Sequence, residues 1–323
     1  MIEIDSIDFM ASFALFNFEF EPIQNKLRQA ELKGMESVLM SASEAFPRKQ
    51  EIFGDILLKD FKKEKIEDII HFKNGEGPKE YIHRHLMPPT DDIVIMRVAN
   101  RKHLQIVDEN LKPKQVDDYQ NCIVMIDNRD GIQRILIENK KAAFRDVKQV
   151  AGILEYTFNK LLARYSLMVK LNHLKNPQTF WHVANDKRSY PKGFYRMLLK
   201  LPYPNLERLR KVYDRLFSQA QQSFNCRLDM NFTSPNGEVR LDENDPYQKE
   251  AIDWFLKDAG GDAVLYSNVA KKHPIPVGKD SYRVITVSST TIQRVTEDAV
   301  NNDLFGSAAF DEVKEKLKTG IEP

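Results

Sequence analysis

Two strand-like runs flank an Asp-Gly turn between Asp117 and Lys141, and no other stretch restricts the fold as tightly. The runs cover residues 121–127 and 132–138, with Asn128-Arg129-Asp130-Gly131 between them. An Asp-Gly pair supplies the positive backbone angles of a tight hairpin turn. Pairing across that turn places Asp118 opposite the Glu138-Asn139-Lys140 end. On a strand, Glu138 and Lys140 share one face, because side chains alternate with a period of two. An acid facing a Glu-x-Lys suits a metal-dependent nuclease. Asp118 and Glu138 would hold Mg²⁺, and Lys140 would position the attacking water. The competing reading is an ordinary solvated strand end.

A chain of 323 residues exceeds a usual single domain. The expected division is an N-terminal α+β domain, 1–175, and a C-terminal α+β domain with a polar tail, 176–323. Hydrophobic content of 42% and charged content of 29% are those of a soluble globular protein. The formal net charge of +1 does not imply binding of nucleic acid by bulk charge, which leaves local basic clusters as the candidates. Cys122 and Cys226 sit in apolar runs without zinc spacing, so both are expected to be buried thiols. No run approaches the roughly 20 apolar residues of a membrane span, and the N-terminus lacks a basic leader segment. A cytoplasmic location without membrane insertion is expected.

Along the chain, residues 12–20 alternate as a strand and residues 22–46 have helical spacing. Residues 55–72 read as mixed, and 74–78 as a loop. The runs 92–99 and 102–108 predict a hairpin turning at Asn100-Arg101. A helix is expected from about 144 to 165, its stripe formed by Phe144, Val147, Val150, Ala151, Leu154, Phe158, Leu161 and Leu162. A strand over 166–172 follows. Beyond it come strand 194–201, helix 206–223, strands 226–233 and 238–241, helix 246–258 and strands 262–267 and 281–288. This order predicts helices on a mostly antiparallel sheet. The aromatic residues Phe180, Trp181, Tyr190, Phe194, Tyr195 and Tyr203 are expected to pack at the junction of the two domains.

Two resemblances add to this. The order of four strands, helix and strand over 92–172, with Asp118, Glu138 and Lys140, resembles the core of restriction-endonuclease-like nucleases. It departs from them in lacking an acid-bearing helix before the strands, and Gln149 and Tyr156 lie seven apart after the Glu-x-Lys. Separately, Ile126–Phe144 followed by a long helix, and Pro204-Asn205-Leu206 followed by Cys226–Glu243, resemble uncharacterised bacterial proteins of mobile or phage-defence gene clusters. The Kiwa-type B component is the nearest named comparison. That resemblance implies an intracellular defence or DNA-associated role.

Other chemistry finds little support. His83-x-His85 puts two imidazoles on one face of an extended segment, with Asp91 or Asp92 as a third metal ligand. There is no Gly-x-Ser-x-Gly, no phosphate-binding glycine loop and no Cys–His pair in sequence. Basic residues cluster at Lys62-Lys63 with Lys65, at Lys112 with Lys114 and at Lys271-Lys272. A candidate phosphate-contacting surface comprises Arg101, Lys102, Lys140, Lys141 and Arg145. The leading expectation is a non-catalytic component of a phage-defence system that binds DNA or RNA, or a protein partner or further copies of itself, without a cofactor. The rivals are the Mg²⁺-dependent nuclease and a structural subunit of a hetero-complex.

Overall fold

The computed structural model describes residues 10–23, 39–60, 65–68, 79–87, 89–201, 229–268, 274–278, 281–301, 303–304 and 306–318. The expected helix 206–223, the loop 74–78, Cys226, Tyr203, Lys62-Lys63, Lys271-Lys272 and most of 22–46 lie outside them. The fold is α+β. The strands are β1 (Met10–Pro22), β2 (Lys65–Asp68), β3 (Lys79–His85), β4 (Ile93–Val107), β5 (Pro113–Asp127), β6 (Arg134–Glu138), β7 (Leu167–His173), β8 (Phe194–Lys200), β9 (Asp229–Thr233), β10 (Asp262–Ser267), β11 (Ile275–Val277) and β12 (Val284–Ser288). The helices used below are α1 (Lys49–Asp55), α2 (Val147–Leu162), α3 (Gln178–Asn185), α4 (Pro246–Asp253), α5 (Ser289–Val300) and α6 (Ala308–Lys318).

The chain divides into two compact units. One comprises residues 1–14, 20–171 and 284–319, and the other 15–19, 172–283 and 320–323. The division therefore differs from a single cut near 175. Strand β12 pairs antiparallel with the start of β1, Met10 opposite Ser288, which returns the chain to the first unit. The polar tail is not an appendage of the second unit. It forms α5 and α6, which bury Ile292, Val295, Phe310, Val313 and Leu317.

The first unit is built on a sheet of order β12-β1-β6-β5-β4-β3-β2, with β7 also beside β1. Its centre is the antiparallel meander β3–β6. Helix α2 begins where Asp146 accepts the Lys148 N–H as an N-cap. Its buried side chains are Val147, Val150, Ala151, Leu154, Phe158 and Leu162 of the expected stripe, with Ile153 and Asn159 added, while Leu161 is half-buried and Phe144 is buried in the loop before the helix. Each fully buried aliphatic or aromatic side chain contributes roughly 1.5–3 kcal/mol.

The expected hairpin turn at Asn100-Arg101 does not form. β4 runs through these residues without a break, and the turn lies at Asp108–Lys112. Neither Asn100 nor Arg101 has a positive φ, so nothing there bends the chain. Asn100 is instead buried, and its Nδ2 donates to the Ala143 carbonyl at 2.9 Å. At the true turn, Asp108 Oδ1 accepts from both the Asn110 and Lys112 N–H groups at 2.9 Å, and Leu111 takes φ 58°. The Asp-Gly turn is also wider than a tight hairpin. Asp127 pairs with Arg134, which leaves 128–133 as the connection, with Gly131 at φ 70°.

The second unit holds a four-stranded sheet, β11-β10-β8-β9. Phe180, Trp181 and Phe194 are buried with Leu199, Phe255, Leu256 and Leu265, and Tyr190 packs against them. These aromatics thus form the core of this unit, where a junction had been expected. Residues 238–241 do not form the expected strand, although the Val239 N–H still donates to the Phe194 carbonyl at 2.6 Å. No described helix is long and apolar enough to cross a membrane.

Candidate nucleic-acid interface

The register of the meander decides which side chains can meet. On one face stand Tyr81, His83, Val98, Asn100, Cys122, Val124 and Ile137, all buried. This face packs on α2 and the loop before it. The Gln149 amide reaches Tyr81 Oη at 3.4 Å, and the Tyr81 and Phe144 rings are 5.8 Å apart. The other face is buried where it carries Ile93, Ile95, Met125, Asp127, Arg134 and Leu136. Further along, it opens to solvent at Arg84, Arg97 and Arg101.

The nuclease arrangement is not assembled. Extending the β5–β6 register one step puts Glu138 opposite Ile123, whose N–H donates to Glu138 Oε2 at 2.8 Å. Asp118 lies five residues further along β5, about 17 Å at strand rise. It also points to the opposite face, because its parity differs from that of Ile123. There it stands opposite Lys102, and Oδ2 accepts from the Gln120 amide at 2.8 Å. Lys140 is not on the strand at all. β6 ends at Glu138, and the Lys140 N–H turns back to the Glu138 carbonyl at 3.0 Å. The two acids therefore cannot share a cation.

His83 and His85 do share a face, with ring centroids 6.0 Å apart. Among the described residues, no three His, Cys, Asp or Glu side chains converge as a metal site. Cys122 is fully buried beneath the same face. Burial pushes its thiol up to about 12, Glu138 adds to this and Lys140 opposes it. In the folded protein Cys122 will therefore resist iodoacetamide at pH 8, and it will react once the chain is unfolded in urea. Peptide mass spectrometry reads both states. A thiol held protonated above its unfolded value adds stability below pH 9, and this contribution fades as pH rises toward about 12.

The five basic residues expected to form one surface split between the two faces. Lys102 donates its Nζ to the Ala142 carbonyl, which joins it to the loop that bears Lys140, Lys141 and Arg145. Arg101 points the other way. Its Nη2 is 2.9 Å from Asp117 Oδ2, and His103 Nδ1 lies 2.7 Å from Asp117 Oδ1. Burial works against ionisation of Asp117, but the hydrogen bonds from His103 and Arg101 hold its carboxyl below the usual carboxylate range.

No protein-family model, curated protein or solved structure matches this chain. The chemistry must therefore be taken from the side chains themselves. On the open face, Arg84 stands directly opposite Arg97 across the β3–β4 ladder, and both are exposed. Like charges in directly opposed positions destabilise a sheet. Neither guanidinium has an ion-pair partner among the described residues. Along the same face follow Ala99 opposite Asn121, then Arg101 opposite Tyr119, which is 42% exposed. The acids Glu80, Asp117 and Glu138 sit at its margins. Sequence inspection missed Arg84 and Arg97 because thirteen positions separate them. Only the antiparallel register makes them neighbours.

Proposed function

We propose that this protein binds nucleic acid on the open face of its larger sheet, without turnover of its own, as a cytoplasmic component of a bacterial phage-defence system. The single observation that supports binding is the Arg84–Arg97 pair, two exposed guanidiniums held side by side without a counter-charge among the described residues. A backbone phosphate between them relieves their repulsion and accepts bidentate hydrogen bonds. Tyr119 on the same face offers a ring on which a base can stack. The defence setting rests on the resemblance of Ile126–Phe144 and Cys226–Glu243 to proteins of such clusters.

Fluorescence anisotropy with labelled single-stranded and duplex oligonucleotides tests this. Binding is expected to weaken linearly in log–log form as salt rises. The double variant Arg84→Ala/Arg97→Ala is expected to lower the single-strand slope by about 0.7, the share of the one phosphate the pair holds. Absence of any binding at low salt, or an unchanged slope in the double variant, removes the proposal.

A further inference from the structure

Beyond the row of Ala99 and Asn121, no other described strand pairs with β4 or β5, and the two continue as a two-stranded arm. Its eight further rows, from Asn100–Gln120 to Val107–Pro113, extend about 25 Å at strand rise. Every residue from Arg101 to Tyr119 keeps contact with solvent, so both faces of the arm are open. A two-stranded ribbon is marginally stable by itself.

The two faces of the arm differ. The side continuous with the open face is mainly polar, carrying Arg101, His103, Gln105, Gln115 and Asp117, with Tyr119 at its inner end and Val107 opposite Pro113 at the tip. The other side has an apolar centre, Leu104 opposite Val116, followed by Ile106 opposite Lys114. Leu104 is 46% exposed, Ile106 44% and Val116 38%. Lys102 opposite Asp118 forms the inner end of this stripe. The stripe thus runs from an acid at Asp118 to a base at Lys114, with the apolar row midway.

We infer that a second copy of this chain packs its arm face to face on this stripe, about a two-fold axis that crosses the strands at the Leu104–Val116 row. That operation lays each Leu104 and Val116 on its own counterpart and brings Asp118 of each copy onto Lys114 of the other. It also carries the tip of each arm to the row of Asn100 in the other copy. The tip carries Asp108, Glu109 and Lys112, and that row is where the loop bearing Lys140, Lys141 and Arg145 sits. Helix α2 and this loop already cover the same face nearer the base. A partner arm therefore continues a layer that is present, at the roughly 10 Å spacing of stacked elements. One occupant satisfies the apolar row and the Asp118–Lys114 pair together, and that occupant is self-complementary.

The inference does not rest on nucleic-acid binding, and its test contains no nucleic acid. Sedimentation velocity on the full chain is expected to show a dimer. Lys114→Asp or Asp118→Lys alone should weaken that dimer about tenfold, because each change acts twice across the axis. The double variant Lys114→Asp/Asp118→Lys should restore it. The two positions are four residues apart on one strand, so rescue cannot arise within a single arm. Leu104→Cys is expected to form a disulfide-linked dimer on oxidation, whereas Gln105→Cys, on the opposite face, is not. A monomer at all concentrations, or a dimer indifferent to both charge reversals with no Leu104→Cys cross-link, overturns the inference.

Discussion

Replacing Asp127 with Ala should destabilise the first unit by about 3 kcal/mol, at the lower end for removing one member of a buried ion pair. Asp127 is fully buried near the end of β5. Its carboxylate accepts from Arg129 Nε at 2.9 and 3.1 Å and from Nη2 at 2.5 Å, and Oδ1 also accepts the Arg129 N–H at 3.0 Å. Across the ladder it stands opposite Arg134, itself fully buried. Alanine would leave the Arg129 guanidinium without the carboxylate it grips. Arg129 is 22% exposed and can turn toward water, which limits the cost. The expected drop in melting temperature is roughly 6–12 °C, from 2–4 °C per kcal/mol for a unit of this size. Asp127→Asn keeps the shape and loses only the charge, so it should fall between wild type and Asp127→Ala. Urea titrations followed by circular dichroism give both values, and a change below about 1 kcal/mol in Asp127→Ala would contradict this account.

In the second unit, Gly261→Ala should cost about 3 kcal/mol, the upper part of the range for overpacking. A Cβ at this position would fall within 3.0 Å of three carbons of the Phe255 ring. Phe255 is 1% exposed and belongs to the core around Trp181, Leu256 and Leu265, so the ring has little room to move. The backbone is held as well. The Gly261 N–H donates to the Phe255 carbonyl at 3.0 Å, and the Gly261 carbonyl accepts from the buried Lys175 Nζ at 2.7 Å. Gly131→Ala is the control. It has φ 70° but nothing within 4 Å of its Cβ, so only backbone strain of about 1 kcal/mol is expected. If the two variants melt together, the close approach at Gly261 does not limit stability.

What the sequence determined by itself is local. The spacing of Val147, Val150, Leu154 and Phe158 marks α2, because a 3.6-residue period leaves one buried face. The alternation of residues 12–20 marks β1, and Asp130-Gly131 marks the reversal between β5 and β6. Pro246 marks the start of α4 and Gly260, at φ 70°, the end of the helical run after it. Local order misled at Asn100-Arg101, where a polar pair inside an apolar run reads as a turn. Asn100 stays in the strand because Ala143, distant in sequence, supplies a carbonyl for its amide. Register was decided by the tertiary structure alone. It separates Asp118 from Glu138, sets Arg84 against Arg97, and leaves Leu104 and Val116 on an open arm. Each of these outcomes depends on which residue faces which across a ladder. A shift of one position would send every side chain to the other face, and only the packing of all the strands fixes it.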